Sequence, residues 1–300
     1  MYAENKRFFR FTVLTAMIVG IGIPAPAQLS PGAPMLDCGG LPCVEATAVD
    51  GLHLKMLVDT GNQYSLLDMA KAKDLGLKLD PIPGPDGKPY PNYFFATLKD
   101  AKMGDASLGD LKLLVTNLHD DMAKGQMPQA DGTLAYTAFK DRILRIDYKA
   151  HRVEVPPTVA ACTADCGELT TPTFGKKGPP IVVTTGFKVN GEPVSMQIDT
   201  LYSGSMLIFP TSVEKLNLQQ QAASTATRFF PFTDGGVDML KGSAQTESFG
   251  NTVLQKNAPL YFATQKVHTP DGMFDGTVGQ ELFAGHVLVM DFHSRKAWLL

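Results

Sequence analysis

The chain has 300 residues, 44% of them apolar and 19% charged, and carries a formal net charge of −3 at pH 7. That apolar content can bury a substantial core, so a globular protein of one large or two smaller domains is expected. Lys and Arg are scattered and form no basic stripe, which argues against a nucleic-acid partner.

In chain order, Lys6, Arg7 and Arg10 precede an apolar run from Phe11 to Ile23 that ends in Ala25-Pro26-Ala27. This is the pattern of a signal peptide over residues 1–27, and the run falls short of the roughly 20 apolar residues a spanning helix needs. No later segment has that length, so a secreted or periplasmic chain is expected, with no membrane contact beyond the leader. Cys38 and Cys43 form one close pair and Cys162 and Cys166 another. In an exported chain they read as disulfides. Three connectivities are open, and the turn residues beside each pair favour two local loops. A zinc site is the rival reading, but both spacings are long for one and no His pair accompanies them.

Apolar, β-branched runs at Leu54 to Val58, Leu111 to Val115, Ile181 to Val189 and Val287 to Met290 read as strands between Gly, Asn, Asp and Pro punctuation. Val49-Asp50-Gly51 and Val189-Asn190-Gly191 mark hairpin turns. Short helices are expected around Leu66 to Leu75 and, behind Pro210, from Thr211 to Leu216. Pro81 to Pro91 reads as a surface loop, and Pro156 to Pro180 as a connector. The six histidines are dispersed; His53 should face outward, and His286 and His293 fit no zinc motif.

The chain repeats itself. AVDGLHLKMLVDT, ending at Thr60, aligns without gaps on KVNGEPVSMQIDT, ending at Thr200, so Asp59 meets Asp199. Ser65-Leu66-Leu67 keeps register with Ser205-Met206-Leu207. Later, Asp131-Gly132-Thr133-Leu134 faces Asp275-Gly276-Thr277-Val278, and Ile146-Asp147-Tyr148 faces Met290-Asp291-Phe292. Each half therefore opens with a hairpin whose second strand delivers an aspartate. The expected division is a leader at 1–27, an N-terminal lobe at 28–155, a linker at 156–180 and a C-terminal lobe at 181–300.

Two carboxylates brought within about 3 Å cannot both stay ionised, so they share one proton. One can then activate water while its protonated partner polarises a carbonyl, without a metal or other cofactor. The bland alternative is that Asp59 and Asp199 only bond turn backbones.

Asp59-Thr60-Gly61, the apolar strand before it and its second copy Asp199-Thr200-Leu201 resemble the aspartic peptidases, specifically retropepsin-like bacterial relatives fused in tandem. Thr133-Leu134-Ala135 and Thr277-Val278-Gly279 resemble the family's late strands, which prop up the catalytic loops. The resemblance implies an all-β, two-lobed, acid-protease-like (pepsin/retropepsin-like) fold with a central cleft and short helices. It implies an exported aspartic-type endopeptidase acting on peptide or protein substrates as a monomer, with the lobes paired within one chain. Asp59 and Asp199 would be catalytic. Thr60 and Thr200 would exchange hydroxyl hydrogen bonds, with Gly61, Asn62 and Leu201 completing the loops. Tyr90, Tyr93 and Phe94, or Phe229, Phe230 and Phe232, would supply a flap.

Four positions depart from the family pattern: Leu201 and Ala135 replace glycines, and Tyr202 in the second half and Asn62 in the first stand where a small hydroxyl residue is usual. Leu201 is expected to crowd its loop and to resist a positive φ by about 1 kcal/mol or more. The rival function is therefore an impaired pseudo-peptidase that binds extended peptides in the cleft.

Overall fold

The computed structural model describes residues 30–48, 51–84, 86–125, 127–173, 180–216, 218, 226–229, 236–263 and 273–300. The expected leader lies outside them. No helix among the described residues is long and apolar enough to cross a membrane.

The fold is all-β with short helices, as an acid-protease-like chain should be. In the first half, strands run in the order Cys43–Thr47, His53–Asp59, Gly132–Ala135, Leu66–Asp68, Ala106–Thr116, Pro89–Met103, Asp80–Pro83. Cys43–Thr47 also pairs with Pro89–Met103, which curls the sheet toward a barrel. The second half repeats this order with Val183–Val189, Glu192–Ile198, Gly276–Val278, Met206–Ile208, Thr252–Ala263, Gly236–Phe249, Ala226–Phe229. Its first strand likewise pairs with Gly236–Phe249.

The first aspartate-bearing strand ends in a continuous apolar run, Met56 to Val58, whereas the second, Glu192–Ile198, alternates buried and half-buried residues toward its end. His53–Asp59 lies between an antiparallel partner, Cys43–Thr47, and a parallel one, Gly132–Ala135. Met56, Leu57 and Val58 are fully buried there, as expected for a strand covered on both faces. The hairpin ahead of the second aspartate turns through Asn190 and Gly191, both at positive φ (52° and 87°), as a tight twisted hairpin requires.

The repeated Asp131 and Asp275 tie the late strands in place. Asp131 Oδ2 accepts the Lys55 N–H at 2.8 Å, and Asp275 Oδ2 accepts that of Ser195 at 2.9 Å. Each also holds a lysine from the short helix, Lys71 or Lys215. Asp147 and Asp291, repeated in the third block, cap tight turns. Asp147 Oδ1 accepts from Lys149 and Ala150 N–H, and Asp291 Oδ1 from His293 and Ser294 N–H.

Two local expectations need correction. Leu66–Asp68 is a strand rather than helix, because it fills the slot between Gly132–Ala135 and Ala106–Thr116 and is buried throughout. The helix is only Met69–Asp74, capped where Asp68 Oδ1 accepts the Ala70 N–H at 2.9 Å. The Pro81 to Pro91 segment is not a free loop, since Asp80–Pro83 pairs with the start of Pro89–Met103. It forms an edge strand, where a missing proline N–H leaves no ladder bond unmade.

A further run of six strands crosses the molecule in the order Gly32–Pro34, Arg152–Glu154, Ile143–Asp147, Val287–Asp291, Lys296–Leu299, Gly167–Thr170. At its centre Arg145 pairs with Val289, its own equivalent 144 positions later in the repeat. A residue opposite its own repeat marks a local two-fold axis. Gly167–Thr170, within the segment read as connector, continues this run into the second-half sheet.

Glu247 is fully buried in Gly236–Phe249. Burial, reinforced by the charge of Glu281 and opposed by the Ser205 hydroxyl, pushes its carboxyl up from 4.5 to about 8. Between those two values the folded chain keeps a proton that the unfolded chain has lost, so this group's contribution to stability is full below pH 4.5 and fades as pH rises to about 8. Glu247→Gln removes that dependence. Its Tm relative to wild type should climb from pH 4.5 to pH 8 in thermal melts; an offset independent of pH would contradict this origin.

Candidate active site

Asp59 closes its strand and Asp199 follows directly on Glu192–Ile198. Their strands are held by equivalent late strands, with Asp59 opposite Ala135 and the Asp199 N–H donating to Val278 O at 2.9 Å. The two turns that follow are knitted together by the threonines. Thr60 N–H donates to Thr200 Oγ1 at 3.1 Å, and Thr200 N–H to Thr60 Oγ1 at 3.3 Å. Each hydroxyl then donates to the strand of the opposite half, Thr60 to Ile198 O at 2.8 Å and Thr200 to Val58 O at 2.5 Å. Both threonines are buried, so this lattice replaces water for four backbone and hydroxyl groups at once.

The aspartates are held by different donors. Asp59 accepts the Gly61 and Asn62 N–H groups and the Asn62 side chain. Asp199 Oδ1 accepts the Leu201 N–H at 2.9 Å and the Tyr202 N–H at 3.2 Å. Despite these donors both carboxyls titrate above their ordinary value of 3.8. Burial is the main cause for each, and for Asp59 the charge of Asp199 adds to it. Such a pair titrates as one unit and retains a proton to higher pH than separate carboxyls do. Its ionised oxygen can take a proton from water while the other carboxyl donates to a carbonyl.

Gly61 is what allows the close approach. A Cβ at this position would lie 2.4 Å from Asp199 Cγ and 2.7 Å from each carboxylate oxygen. Gln197 adds a tie that the sequence did not single out: its Nε2 donates to Gly61 O at 2.7 Å, from the second half onto the first loop. The available signal was a polar residue between the apolar Met196 and Ile198, aligned with Leu57. Ser65 was likewise visible only as a matched residue. Its Oγ accepts the N–H of Ala135, which is fully buried and fits its strand without the glycine of the family pattern.

The expectation for Leu201 is corrected. Its φ is not in the left-handed region, and its side chain is not forced into the site. It packs instead against a first-half apolar cluster that includes Cys38, Leu57, Leu66, Leu118 and Met122. Tyr202 offers Asp199 its backbone N–H, while its ring is buried with Ile181, Val183, Leu207 and Phe209 in the second half.

The cysteines pair locally, Cys38 with Cys43 and Cys162 with Cys166. The first pair belongs to the cluster under Leu201, and Cys43 faces Leu57 in register. His53 is exposed beside Glu45. Among the described residues no three His, Cys, Asp or Glu side chains gather as a metal site needs. Tyr90, Tyr93 and Phe94 lie on Pro89–Met103, with Tyr90 exposed. Phe229 ends Ala226–Phe229, and Phe230 and Phe232 lie outside the described residues.

No curated protein sequence matches the chain. Among solved structures, soybean basic 7S globulin is 10% identical, with 89% of this chain and 93% of that one covered at a TM-score of 0.44. A retropepsin-like aspartic protease from Rickettsia conorii is 12% identical, with 47% of this chain and 100% of that one covered at a TM-score of 0.29. The sequence itself carries the family likeness: residues 44–137, which contain Asp59 and its supporting strands, match the model of the aspartyl protease family.

Proposed function

We propose that this protein is an exported aspartic-type endopeptidase in which Asp59 and Asp199 are the catalytic pair. The observation that supports the reading is the Thr60–Thr200 lattice, which knits together the two turns whose aspartates both have raised pKa values. The lobes are 28–155 and 181–300, joined through 156–180, with an extended peptide lying in a cleft between them. The ionised member of the pair takes a proton from water as the oxygen attacks the peptide carbonyl, and the protonated member donates to the carbonyl oxygen. Collapse of the tetrahedral intermediate reverses these roles, delivering a proton to the leaving amine. Export is supported by the leader pattern at 1–27 and by two disulfides, which persist in oxidising compartments.

The test is cleavage of an unfolded-protein or peptide library by the mature chain across pH. Since the pair must hold one proton, kcat/KM should fall on the acid side as both carboxyls protonate and on the alkaline side as the last proton leaves. The raised pKa values place the alkaline limb above the ordinary range near 4. A flat profile between about pH 3 and pH 8 would exclude a shared-proton mechanism. Tight peptide binding without turnover at any pH would instead favour the binding-protein reading.

A further inference from the structure

The residue that breaks the second-half signature has an unexpected position. At the equivalent place in the first half, Gly61 has no room for a Cβ because the Asp199 carboxylate abuts it. Leu201 has both room and a partner: its side chain leaves the second-half loop and packs on the first-half cluster of Cys38, Leu57, Leu66, Leu118 and Met122. Its own N–H is the shorter of the two backbone bonds to Asp199 Oδ1. Anchor and donor therefore belong to one residue, with the anchor in one half and the donor aimed at the other half's carboxylate. Gln197, four positions earlier, makes a second tie in the same direction onto Gly61 O.

From this geometry we infer that Leu201 is a positioning residue, an apolar anchor that holds its own amide on Asp199 and sets the second loop against the first half. In this role the departure from glycine is a working part of the pair. A glycine here would lose the apolar seat and gain backbone freedom, so the amide would spend less time on the carboxylate. The inference rests on the peptidase reading for its consequence in turnover, but the placement of the amide can be measured without turnover.

The experiment compares wild type, Leu201→Gly, Leu201→Ala and Leu201→Met by peptide cleavage and by NMR titration of the Asp199 side-chain carboxyl. Losing a donor to the ionised form moves a carboxyl titration upward. Leu201→Gly and Leu201→Ala should each shift the Asp199 midpoint up by about half a pH unit or more and lower kcat about tenfold, with KM within about twofold. Leu201→Met, which can occupy the same apolar seat, should restore most of both. Leu201→Ala keeps ordinary backbone restriction, so it carries the test if the glycine variant folds poorly. Cleavage by Leu201→Gly at or above the wild-type rate with an unmoved Asp199 titration would overturn the inference. So would a Leu201→Met shift as large as that of Leu201→Ala. If wild type cleaves nothing, the peptidase reading fails, and the titrations still decide the anchor.

Discussion

Asp59→Asn and Asp199→Asn should each lower kcat/KM for peptide cleavage by about 10³-fold or more, while the chain stays folded. The amide keeps the size of the carboxylate, and its oxygen can still accept the backbone N–H groups of Gly61 and Asn62 or of Leu201 and Tyr202. What it cannot do is exchange a proton with water or with its partner. The accompanying effect on stability has the opposite sign. Both carboxyls have folded pKa values above their ordinary value of 3.8, so each contributes stability at low pH that is lost as pH rises through the folded value. Removing one of two crowded acids should leave Tm at pH 7 unchanged or higher. Loss of cleavage with Tm maintained separates chemistry from folding. Wild-type cleavage by either variant would remove that aspartate from the mechanism.

Gly61→Ala should be nearly as damaging, although it adds only one methyl group. That methyl would sit 2.4 Å from Asp199 Cγ, and the facing atoms are a carboxylate held by two backbone N–H groups rather than the free end of a flexible chain. The clash can be relieved only by moving Asp199 off its donors or by parting the two loops. Parting them strains the threonine lattice and the Gln197 bond to Gly61 O. Overpacking of this kind costs about 1–3 kcal/mol. A displacement of about 1 Å at reacting groups can cost about 10²-fold in rate. Melting and kinetics on the same preparation check both parts. A variant with unchanged kcat would mean that the carboxylate can retreat without penalty and that the close packing of the loops is incidental to turnover.

The positions around these loops show where reading the chain succeeds and where it stops. Asp59 and Asp199 were legible because duplication preserves local chemistry: the same strand, turn and helix must be encoded twice. The threonines were legible for the same reason, as were the two cysteine pairs, whose partners are near in sequence. Gly32–Pro34, Arg152–Glu154 and Gly167–Thr170 were not, being three or four residues long and too short for a pattern to stand out. Their strand character comes from neighbours donated by distant segments. Leu66–Asp68 was read as helix because Leu and Asp alone do not oppose one, and the slot between two strands decided otherwise.

Apolar and β-branched runs, turn residues and repetition by themselves determined two β-rich halves with one aspartate delivered per half, because strand patterning and turn chemistry are local properties. Only the tertiary structure decided how the two loops share their space. The departure at Leu201 read as steric damage within its own turn, yet its side chain finds an apolar seat in the first half. Gln197 read as an ordinary strand residue, yet it bonds Gly61 O across the axis. Both outcomes depend on contacts between residues 79 or more positions apart, and no local pattern encodes which surface a side chain will meet once distant segments pack together.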